Sequence, residues 1–452
     1  MGLELSKYNF SRKINQNYTL INNTLTGAVD IIENRIWDSV RNPAHICSNL
    51  LSSLMERGYL YSDLKEEEKL FKKIFNSYLK KAKSRPIRYV FCPTYQCNLN
   101  CSYCFEKALP QKSMDTEMLG RAIKAAEIIS ENHSNRMEAV ELFGGELLLL
   151  KGKPLVGKIL EFAARKDTII TIVTNGVKVH RFIDVLKPYR ENIEMLQITI
   201  DGPSQIHDKR RKYLTGRGSF SEIVNGISLL LESRINTNVR INIDKSNIGS
   251  LPELYHFIDK EGWLDHPNFS IRLAEVTDHS SIEYTGNLIE PERLLEKLIK
   301  VYREHPYLEE LFGYYIFKPL RHLLDILGGG PNVSPKVLNC ESNLLELNIF
   351  CPDGLIYVCG ESIGNPDMAI GRFEPFLEFF EDKKDLWIGR NVLSLEECRN
   401  CNFAPICGGG CMYSSILVHG DCRKPVCERY KEVLDTYIDY KGSEILNKFL
   451  SS

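Results

Sequence analysis

Three cysteines in one short segment constrain this chain more than any other feature of its sequence. Cys97, Cys101 and Cys104 are separated by three residues and then by two. Closely spaced thiolates favour a soft metal, and three protein ligands leave one position of that metal open. This triad therefore predicts a metal site with room for a small molecule.

Length and composition narrow the class of protein. A chain of 452 residues predicts roughly two to four domains. The net charge of −2 shows no excess of basic residues of the kind that nucleic-acid-binding proteins carry. No apolar run approaches the roughly 20 residues that span a membrane, and no signal-peptide core follows Met1. We therefore expect a cytoplasmic protein without a nucleic-acid or membrane partner.

The fourteen cysteines are unevenly distributed along the chain. Cys47 and Cys92 stand alone among apolar residues, so we expect both to be small core side chains. The other twelve form two clusters, the triad and nine cysteines between residues 340 and 427. Because no export signal points to an oxidising compartment, this clustering favours metal or redox chemistry over disulfides.

From Ile87 onward, β-prone runs alternate with helical stretches. Such alternation predicts parallel strands joined by right-handed crossovers. Six units are fewer than the eight of a closed barrel, so the predicted α/β fold is a partial (β/α)6 TIM-like barrel with a lateral opening. The expected strands are Ile87–Cys92, Ala139–Phe143, Thr168–Thr174, Met195–Ile200, Thr237–Ile243 and Phe269–Val276. Chemistry in these folds gathers at the carboxyl ends of the strands, where the triad lies.

The chain on either side of the barrel has a different character. The N-terminal segment is predicted to be a winged-helix-like α+β module. It has three β-prone runs, a helix ending at Gly58, a short strand and a charged helix. This module either supports the barrel or docks a peptide as an added strand. The expected units are residues 1–85 (this module), 86–289 (barrel), 290–335 (helical connector ending at a glycine-rich boundary), 336–430 (cysteine-rich domain) and 431–452 (closing helix).

The triad, with the aromatic Tyr103 before its last cysteine, resembles the signature of the radical SAM superfamily. Further motifs follow the predicted strands in the order typical of that family. They are Gly144-Gly145-Glu146, Thr174-Asn175-Gly176, Thr199-Ile200-Asp201-Gly202-Pro203, and Arg240 with Asn242. Each motif alone is common, and the triad alone also fits part of a zinc site. Their order and spacing together carry the resemblance, over roughly residues 87–280.

The resemblance implies a specific cofactor and reaction. The triad would hold a [4Fe–4S] cluster with one iron free, to which the methionine part of S-adenosylmethionine binds. Reduction then cleaves that molecule and releases a 5′-deoxyadenosyl radical, while the protein orients it and excludes water. The cofactor contacts that the resemblance implies are Tyr103 near the adenine, Gly144, Gly145 and Glu146 at the amino group, and Thr199 and Arg240.

The C-terminal cysteines resemble the seven-cysteine pattern of SPASM domains, which implies two auxiliary [4Fe–4S] clusters and three clusters in all. The implied ligands are Cys340, Cys359 and Cys411 for the first, and Cys398, Cys401, Cys407 and Cys427 for the second. Two cysteines exceed the pattern. Cys351 is a candidate fourth ligand of the first cluster, which otherwise stays open to a substrate thiolate, and Cys422 competes with Cys427. Two zinc sites are the alternative.

Enzymes with this pair of domains mostly modify peptides or proteins, and two reactions compete. The first is that of a peptide maturase, which installs a cross-link, expected to be a Cys thioether, in a ribosomally made precursor whose leader docks on residues 1–85. The second is formylglycine formation by an anaerobic sulfatase-maturing enzyme. Those enzymes start near their first cysteines and carry Asp directly after the cysteine that Cys359 matches, where this chain has Gly360 and then Glu361. Either reaction implies an external electron donor of flavodoxin or ferredoxin type.

A third interpretation comes from another class of protein, a non-catalytic iron–sulfur electron carrier. Such a carrier would need neither the Gly-Gly-Glu motif nor a triad with an open position. The sequence therefore favours an enzyme.

Overall fold

A ten-stranded sheet is the largest element of the chain. The computed structural model describes residues 3–40, 47–82, 84–133, 138–277, 279, 286–328, 335 and 337–451. Within these ranges, the remaining strands form a three-stranded and a two-stranded sheet near the N-terminus. The helices in the same ranges include none that is long and apolar enough to cross a membrane.

The N-terminal module has the strands and helices that its sequence predicts, together with a further strand, β1 (Glu4–Leu5), and a further helix, α1 (Asn34–Ser39). They are β1 Glu4–Leu5, β2 Asn9–Lys13, β3 Tyr18–Asn23, β4 Ala28–Glu33, α1 Asn34–Ser39, α2 Ser48–Glu56, β5 Leu60–Tyr61 and α3 Leu64–Ala82. Strands β2, β3 and β4 pair antiparallel in that order, and β1 pairs with β5. The prediction that Cys47 is a core side chain is wrong, because it caps the start of α2 and is exposed.

Six parallel strands form the barrel, each within two residues of its predicted bounds. The elements are β6 Ile87–Phe91, α4 Thr116–Glu131, β7 Glu138–Leu142, α5 Lys153–Arg165, β8 Ile169–Thr174, α6 Ile183–Leu186, β9 Ile193–Thr199, α7 Ser204–Arg210, α8 Phe220–Glu232, β10 Thr237–Ile243, α9 Leu251–Lys260 and β11 Phe269–Glu275. The strands pair in chain order from β6 to β11. The α/β class and the partial TIM-like barrel are therefore confirmed.

The two faces of the barrel strands differ in polarity. Ile170 and Ile172 of β8 are fully buried in one apolar cluster with Ile159 of α5 and Ile227 of α8. Burying such a side chain contributes about 1.5–3 kcal/mol. The inner face carries polar residues such as Gln197, whose amide oxygen accepts a hydrogen bond from Arg272. The apolar face holds the helices, and the polar face lines the interior.

The sheet continues into the cysteine-rich region, which the sequence did not predict. Strand β12 Leu347–Phe350 pairs parallel to β6, and β13 Leu355–Tyr357, β14 Gly371–Arg372 and β15 Glu378–Phe379 extend the sheet antiparallel. Strands of two to four residues are too short to show a period-two pattern. The helices here are α10 Pro291–Glu304, α11 Pro306–Phe312, α12 Lys318–Leu327, α13 Glu381–Gly389, α14 Ala404–Cys407, α15 Met412–His419 and α16 Tyr430–Ser451. Of the predicted boundary Gly328-Gly329-Gly330-Pro331, Gly328 directly follows α12 and the other three residues lie outside the described ones.

The N-terminal module packs against the C-terminal half of the chain. The hydroxyl of Thr24 donates to the carbonyl of Asn402, and the Asn402 amide donates to the carbonyl of Asn9 at 3.2 Å. Arg12 on β2 donates through Nε to Oδ1 of Asp439 on α16 at 2.9 Å. These contacts place β2 beside the cysteine-rich region.

Candidate active site

The triad lies on the loop that leaves the carboxyl end of β6, as predicted. Its middle cysteine is buried, and the two outer ones are half-buried. The amide of Asn100 donates to the carbonyl of Lys212 at 2.7 Å, and the amide of Ser102 donates to the carbonyl of Arg210 at 2.9 Å. The loop is thereby fixed to the chain that follows β9.

A second loop, the Gly-Gly-Glu segment after β7, packs directly against residues 94–96, which precede the triad. The amide of Gly145 donates to the carbonyl of Thr94 at 3.0 Å, and the amide of Glu146 donates to the carbonyl of Gln96 at 2.8 Å. A Cβ atom on Gly145 would lie 2.5 Å from that Gln96 oxygen, and Gly144 has a φ of +129°. Both positions therefore need glycine so that the two loops can approach each other closely.

The Glu146 carboxylate is buried and fully hydrogen-bonded within the protein. It accepts from the hydroxyl of Thr174 and from the amides of Asn175 and Leu148, each at 2.7 Å. The side chain is 1% exposed. The sequence did not predict that Glu146 would bind the neighbouring loops in this way. The Thr174-Asn175-Gly176 turn after the next strand supplies two of the three donors.

Asn175 connects the third strand end to the triad itself. Its Nδ2 atom lies 3.8 Å from the Sγ atom of Cys97 and donates to the Asn98 side chain at 2.9 Å. A hydrogen bond to a sulfur ligand stabilises its thiolate form. The loops after β6, β7 and β8 thus meet at Cys97.

Tyr103 is held by residues from β9, β10 and the segment after α7. Its hydroxyl donates to Asp201 at 2.6 Å and accepts from Arg211 at 2.7 Å and from Asn242 at 3.0 Å. The guanidinium of Arg210 lies 5.0 Å from the centre of its ring. The ring therefore has a fixed orientation beside the last cysteine of the triad.

Buried charges stabilise this side of the site. Arg210 donates to Asp244 at 2.7 Å and to Asp201 at 3.3 Å, and its side chain is 6% exposed. Breaking a buried ion pair by removing one partner typically costs about 3–5 kcal/mol. The sequence placed Arg210 near the Asp-Gly-Pro turn, but it did not reveal these partners.

His207 is a neutral, buried part of the same network. Its Nδ1 accepts from the backbone amide of Asp201 at 3.3 Å, and its Nε2 lies 3.1 Å from the hydroxyl of Ser219. Burial, reinforced by the nearby cation of Arg211, lowers the pKa of His207 to about 4. The imidazole therefore serves as a hydrogen-bonding link between two segments.

The two remaining predicted cofactor contacts lie on β9 and β10. Thr199 is buried at the end of β9, next in register to Arg240. Arg240 donates to the Asn242 side chain at 2.7 Å, which connects it to Tyr103 through one residue. Arg240 also lines a cavity of about 560 Å³ between the barrel and the cysteine-rich region. The structure therefore brings Arg240 to the Tyr103 side of the site.

Some of the C-terminal cysteines that the sequence analysis assigned to two sets lie close enough to influence one another's pKa. In the first, burial and then the proximity of Cys340 and Cys411 raise the pKa of Cys359 above its ordinary value. In the second set, Cys401 and Cys427 lie close enough to Cys398 to affect its pKa. Burial and then Cys401, with Cys427 also contributing, raise the pKa of Cys398 to about 11. Burial and then Glu428, with a smaller effect of Cys398, raise the pKa of Cys407 to about 12.

The two cysteines in excess of the pattern lie elsewhere. Cys351 is fully buried in an apolar cluster with Cys92 and Tyr95, and burial raises the pKa of its thiol. The structure thus places Cys351 in the core and confirms Cys92 as a core side chain. Cys422 is buried, and its carbonyl accepts from the guanidinium of Arg390 at 2.6 Å.

Three glycines let the chain wrap tightly between two of these cysteines. Gly408, Gly409 and Gly410 have φ values of +72°, +87° and +71°. Arg390, which the sequence analysis missed, donates to the carbonyls of Gly409 at 3.0 Å and Gly410 at 2.8 Å. This buried guanidinium fixes the turn that leads to Cys411.

His279 is a further residue that the sequence did not single out. Its Nε2 lies 3.7 Å from the Sγ atom of Cys411, and its Nδ1 lies 3.6 Å from the carboxylate of Glu361. Burial would lower the pKa of His279, but hydrogen bonds to Cys411 and Glu361 raise it to about 10. A contact across 132 residues leaves no local signal in the sequence.

The donor chemistry of the triad fits an iron–sulfur cluster. Burial, then Glu146 and then Cys101 raise the pKa of Cys97 to about 12, so these clustered thiolates need a cationic partner. Among the described residues, no group of three or more His, Cys, Asp or Glu side chains converges on a single-ion position. A cluster that takes one thiolate per iron does not need such convergence.

Comparison with known proteins agrees with this site. Residues 91–258 match the model of the Radical SAM superfamily. A cysteine-type anaerobic sulfatase-maturating enzyme of Clostridium novyi (strain NT) is 26% identical over 361 residues, covering 76% of this chain and 92% of the relative. Native anSMEcpe with bound AdoMet and Kp18Cys peptide superposes with a TM-score of 0.61 at 19% identity, over 81% of this chain and 100% of that one.

A second solved structure shares the fold over a larger part of the chain. Streptococcus suis SuiB bound to precursor peptide SuiA has a TM-score of 0.52 at 15% identity, over 94% of this chain and 98% of SuiB. Members of the radical SAM superfamily bind S-adenosylmethionine and a [4Fe–4S] cluster. With residues 91–258 matching the Radical SAM superfamily model and the strand-end motifs packed around the triad, this chain carries a radical SAM domain and is a radical SAM enzyme that is similar to sulfatase and peptide maturases.

Proposed function

We propose that this enzyme is a peptide maturase that installs a cross-link, a Cys thioether, in a ribosomally made precursor peptide. The observation that carries the proposal is the position of the N-terminal module. Its edge strand β2 borders a cleft of about 640 Å³, and the same strand is tied to the C-terminal half of the chain through Arg12 and Asp439. A peptide held at this edge lies on the same body as the cysteine groups.

The cleft suits an extended peptide. Among the described strands, β2 pairs on one side only, with β3, so a leader segment adds to its other side through main-chain hydrogen bonds. Leu5 and Trp37 supply apolar contacts in the cleft, and Lys13 and Asp38 line it with opposite charges, while Arg12 is already paired with Asp435 and Asp439. This arrangement predicts a leader whose apolar side chains enter the cleft.

We assign the triad as the ligands of the cluster that binds S-adenosylmethionine. When bound and reduced, this group supplies the 5′-deoxyadenosyl radical. Glu146 already accepts three hydrogen bonds, so we assign the amino group of S-adenosylmethionine to the backbone of Gly144 and Gly145. The fixed ring of Tyr103 orients the adenine, and Thr199 and Arg240 complete the nucleotide site.

The two C-terminal groups are proposed to hold two auxiliary [4Fe–4S] clusters. The ligands are Cys340, Cys359 and Cys411 for the first, and Cys398, Cys401, Cys407 and Cys427 for the second. Because Cys351 is buried in an apolar cluster with Cys92, the first cluster keeps a position open to the thiolate of the substrate. Because clusters of this kind are sensitive to oxygen, we expect the enzyme to work in a reducing cytoplasm. A flavodoxin or ferredoxin would supply its electrons.

Formylglycine formation is the competing reaction, and the Clostridium novyi relative favours it. Two observations weigh against it. The anSMEcpe fold leaves about a fifth of this chain unmatched, comparable in length to residues 1–85, whereas the SuiB fold covers 94%. In addition, Glu361, one residue beyond the position of the expected Asp base, faces His279.

The test compares the reconstituted enzyme with its Cys101→Ala variant under anaerobic conditions. The enzyme should form 5′-deoxyadenosine and convert a leader-bearing, cysteine-containing peptide to a product that lacks two hydrogens. The variant should do neither, because it lacks one cluster ligand. An aldehyde in place of the dehydrogenated product, made from a leaderless sulfatase peptide, would establish the competing reaction instead.

A further inference from the structure

Helix α3 carries a concentrated positive charge on a chain whose net charge is −2. Between residues 69 and 83 the sequence has six lysines and no acidic residue. At 100° per residue, Lys69, Lys72, Lys73 and Lys80 fall on one side of the helix, and all four are exposed. We call this side the lysine face.

Local structure accounts for only part of the lysine face. Glu66 and Glu68 stand three and four residues before Lys69 and Lys72, but among the described residues neither is within ion-pair distance of them, and the four lysines form no ion pair. Lys69 is also followed by Lys72 and Lys73 at the spacings that bring like charges together, and such pairs destabilise a helix. Lys80 lies near the helix C-terminus, where a cation is favourable, but the other three lie too far from it.

The opposite side of α3 packs over the second cysteine group. Phe71 is buried in a cluster that includes Cys398 and Cys401 at its border. Tyr78 of α3 lines a cavity of about 290 Å³ together with Cys407. One helix thus separates the lysine face from three of the four cysteines that are proposed to hold the second auxiliary cluster.

We propose that the lysine face of α3 docks a small acidic protein that carries one electron, and that this carrier reduces the enzyme through the second cysteine group. The proposal rests on the proposed function, which needs an external reductant. One electron leaves the carrier, the carbon–sulfur bond of S-adenosylmethionine breaks, and methionine and the 5′-deoxyadenosyl radical are the products.

The surface suits such a partner. A helix of 19 residues is about 28 Å long, which matches one face of a small protein. Contacts between electron-transfer partners are small and transient, and complementary charge accelerates their encounter while salt screens it. An acidic leader peptide is the other possible occupant, and the experiment separates the two.

The experiment measures 5′-deoxyadenosine formation by the reconstituted enzyme with two reductants, a reduced flavodoxin of acidic net charge and dithionite. For the Lys72→Glu/Lys73→Glu variant, the flavodoxin-driven rate should fall about tenfold or more, and the dithionite-driven rate should be unchanged. Added salt should slow the flavodoxin-driven reaction of the wild type. The charge-matched control is Lys158→Glu/Lys166→Glu, at exposed positions on α5 and just after it, which should behave as the wild type.

Three results would overturn the proposal. An unchanged flavodoxin-driven rate would show that the carrier docks elsewhere, and an equal loss with dithionite would show that the charge reversal damages the enzyme. A loss of leader binding without loss of flavodoxin-driven turnover would assign the lysine face to the peptide. Failure of the proposed function is distinct, since it appears as absence of peptide product with dithionite in the wild type.

Discussion

Glu146 accepts a hydrogen bond from the hydroxyl of Thr174 at 2.7 Å, and this buried contact joins the loops that follow β7 and β8. The amide of Asn175 donates to the same carboxylate, and the side chain of Asn175 reaches Cys97. Glu146 therefore positions the triad through one intermediate residue. The Gly-Gly-Glu motif acts in this chain as a joint between loops.

Replacement of Glu146 by Ala should destabilise the site severely. Three buried donors would lose their acceptor, and each unpaired group costs about 1–3 kcal/mol. We expect a melting temperature lower by roughly 6 °C or more and a loss of iron from the triad, measured by calorimetry and iron analysis. Glu194→Ala, at an exposed position on β9, is the matched control and should change neither. An unaltered Glu146→Ala protein would refute the positioning function.

Gly145→Ala should abolish activity for a steric reason. The added Cβ would lie 2.5 Å from the carbonyl oxygen of Gln96 and 2.6 Å from that of Tyr95. The backbone segment that leads into the triad must therefore move. The expected result is loss of S-adenosylmethionine binding, measured by equilibrium dialysis. Gly120→Ala in α4 has no neighbour within 4 Å, and this control should be stabilised by about 1 kcal/mol through helix propensity. Equal binding by both variants would contradict the close packing of the two loops.

The barrel was predictable because its signals are local. Strands of five to seven residues, helices with one apolar side and motifs at strand ends can all be read along the chain. The triad and its strand-end neighbours follow from the rule that parallel strands present their carboxyl ends at one edge. The sequence therefore predicted which residues gather at the site.

The contacts that fix those residues were not predictable in the same way. Strands β12 to β15 are too short to show a pattern, and the partners of Arg390 and His279 come from distant segments. The sequence made Cys351 a candidate ligand of the first cluster, but β12 pairs with β6, which brings Cys351 into an apolar cluster with Cys92. In each of these cases, the contact joins segments that are far apart in the sequence.

His207 should make the stability of the enzyme depend on pH in the mildly acidic range. Its pKa is about 4 in the folded protein, against the ordinary value of 6.5 that applies to the unfolded chain. Unfolding therefore takes up a proton below pH 6.5. Stability is full above that pH and falls as the pH drops towards 4, by at most about 3 kcal/mol. His207→Gln should make the plot of melting temperature against pH less steep between 6.5 and 5, and the remaining slope belongs to His322, whose pKa burial also lowers to about 4. The exposed His180→Gln should leave the slope unchanged, and an undiminished slope in His207→Gln would assign the effect to other groups.

Iron content separates the ligand cysteines from the core cysteines. Three clusters of four predict about twelve irons per chain, and Cys407→Ala should retain about eight, because it removes a ligand of one auxiliary cluster only. It should still cleave S-adenosylmethionine with dithionite, since the triad is untouched. Cys351→Ala should keep all of the iron, because its thiol faces Cys92 in an apolar cluster. Loss of about four irons from Cys351→Ala would make Cys351 a ligand of the first auxiliary cluster and would close the position that we assign to the substrate thiolate.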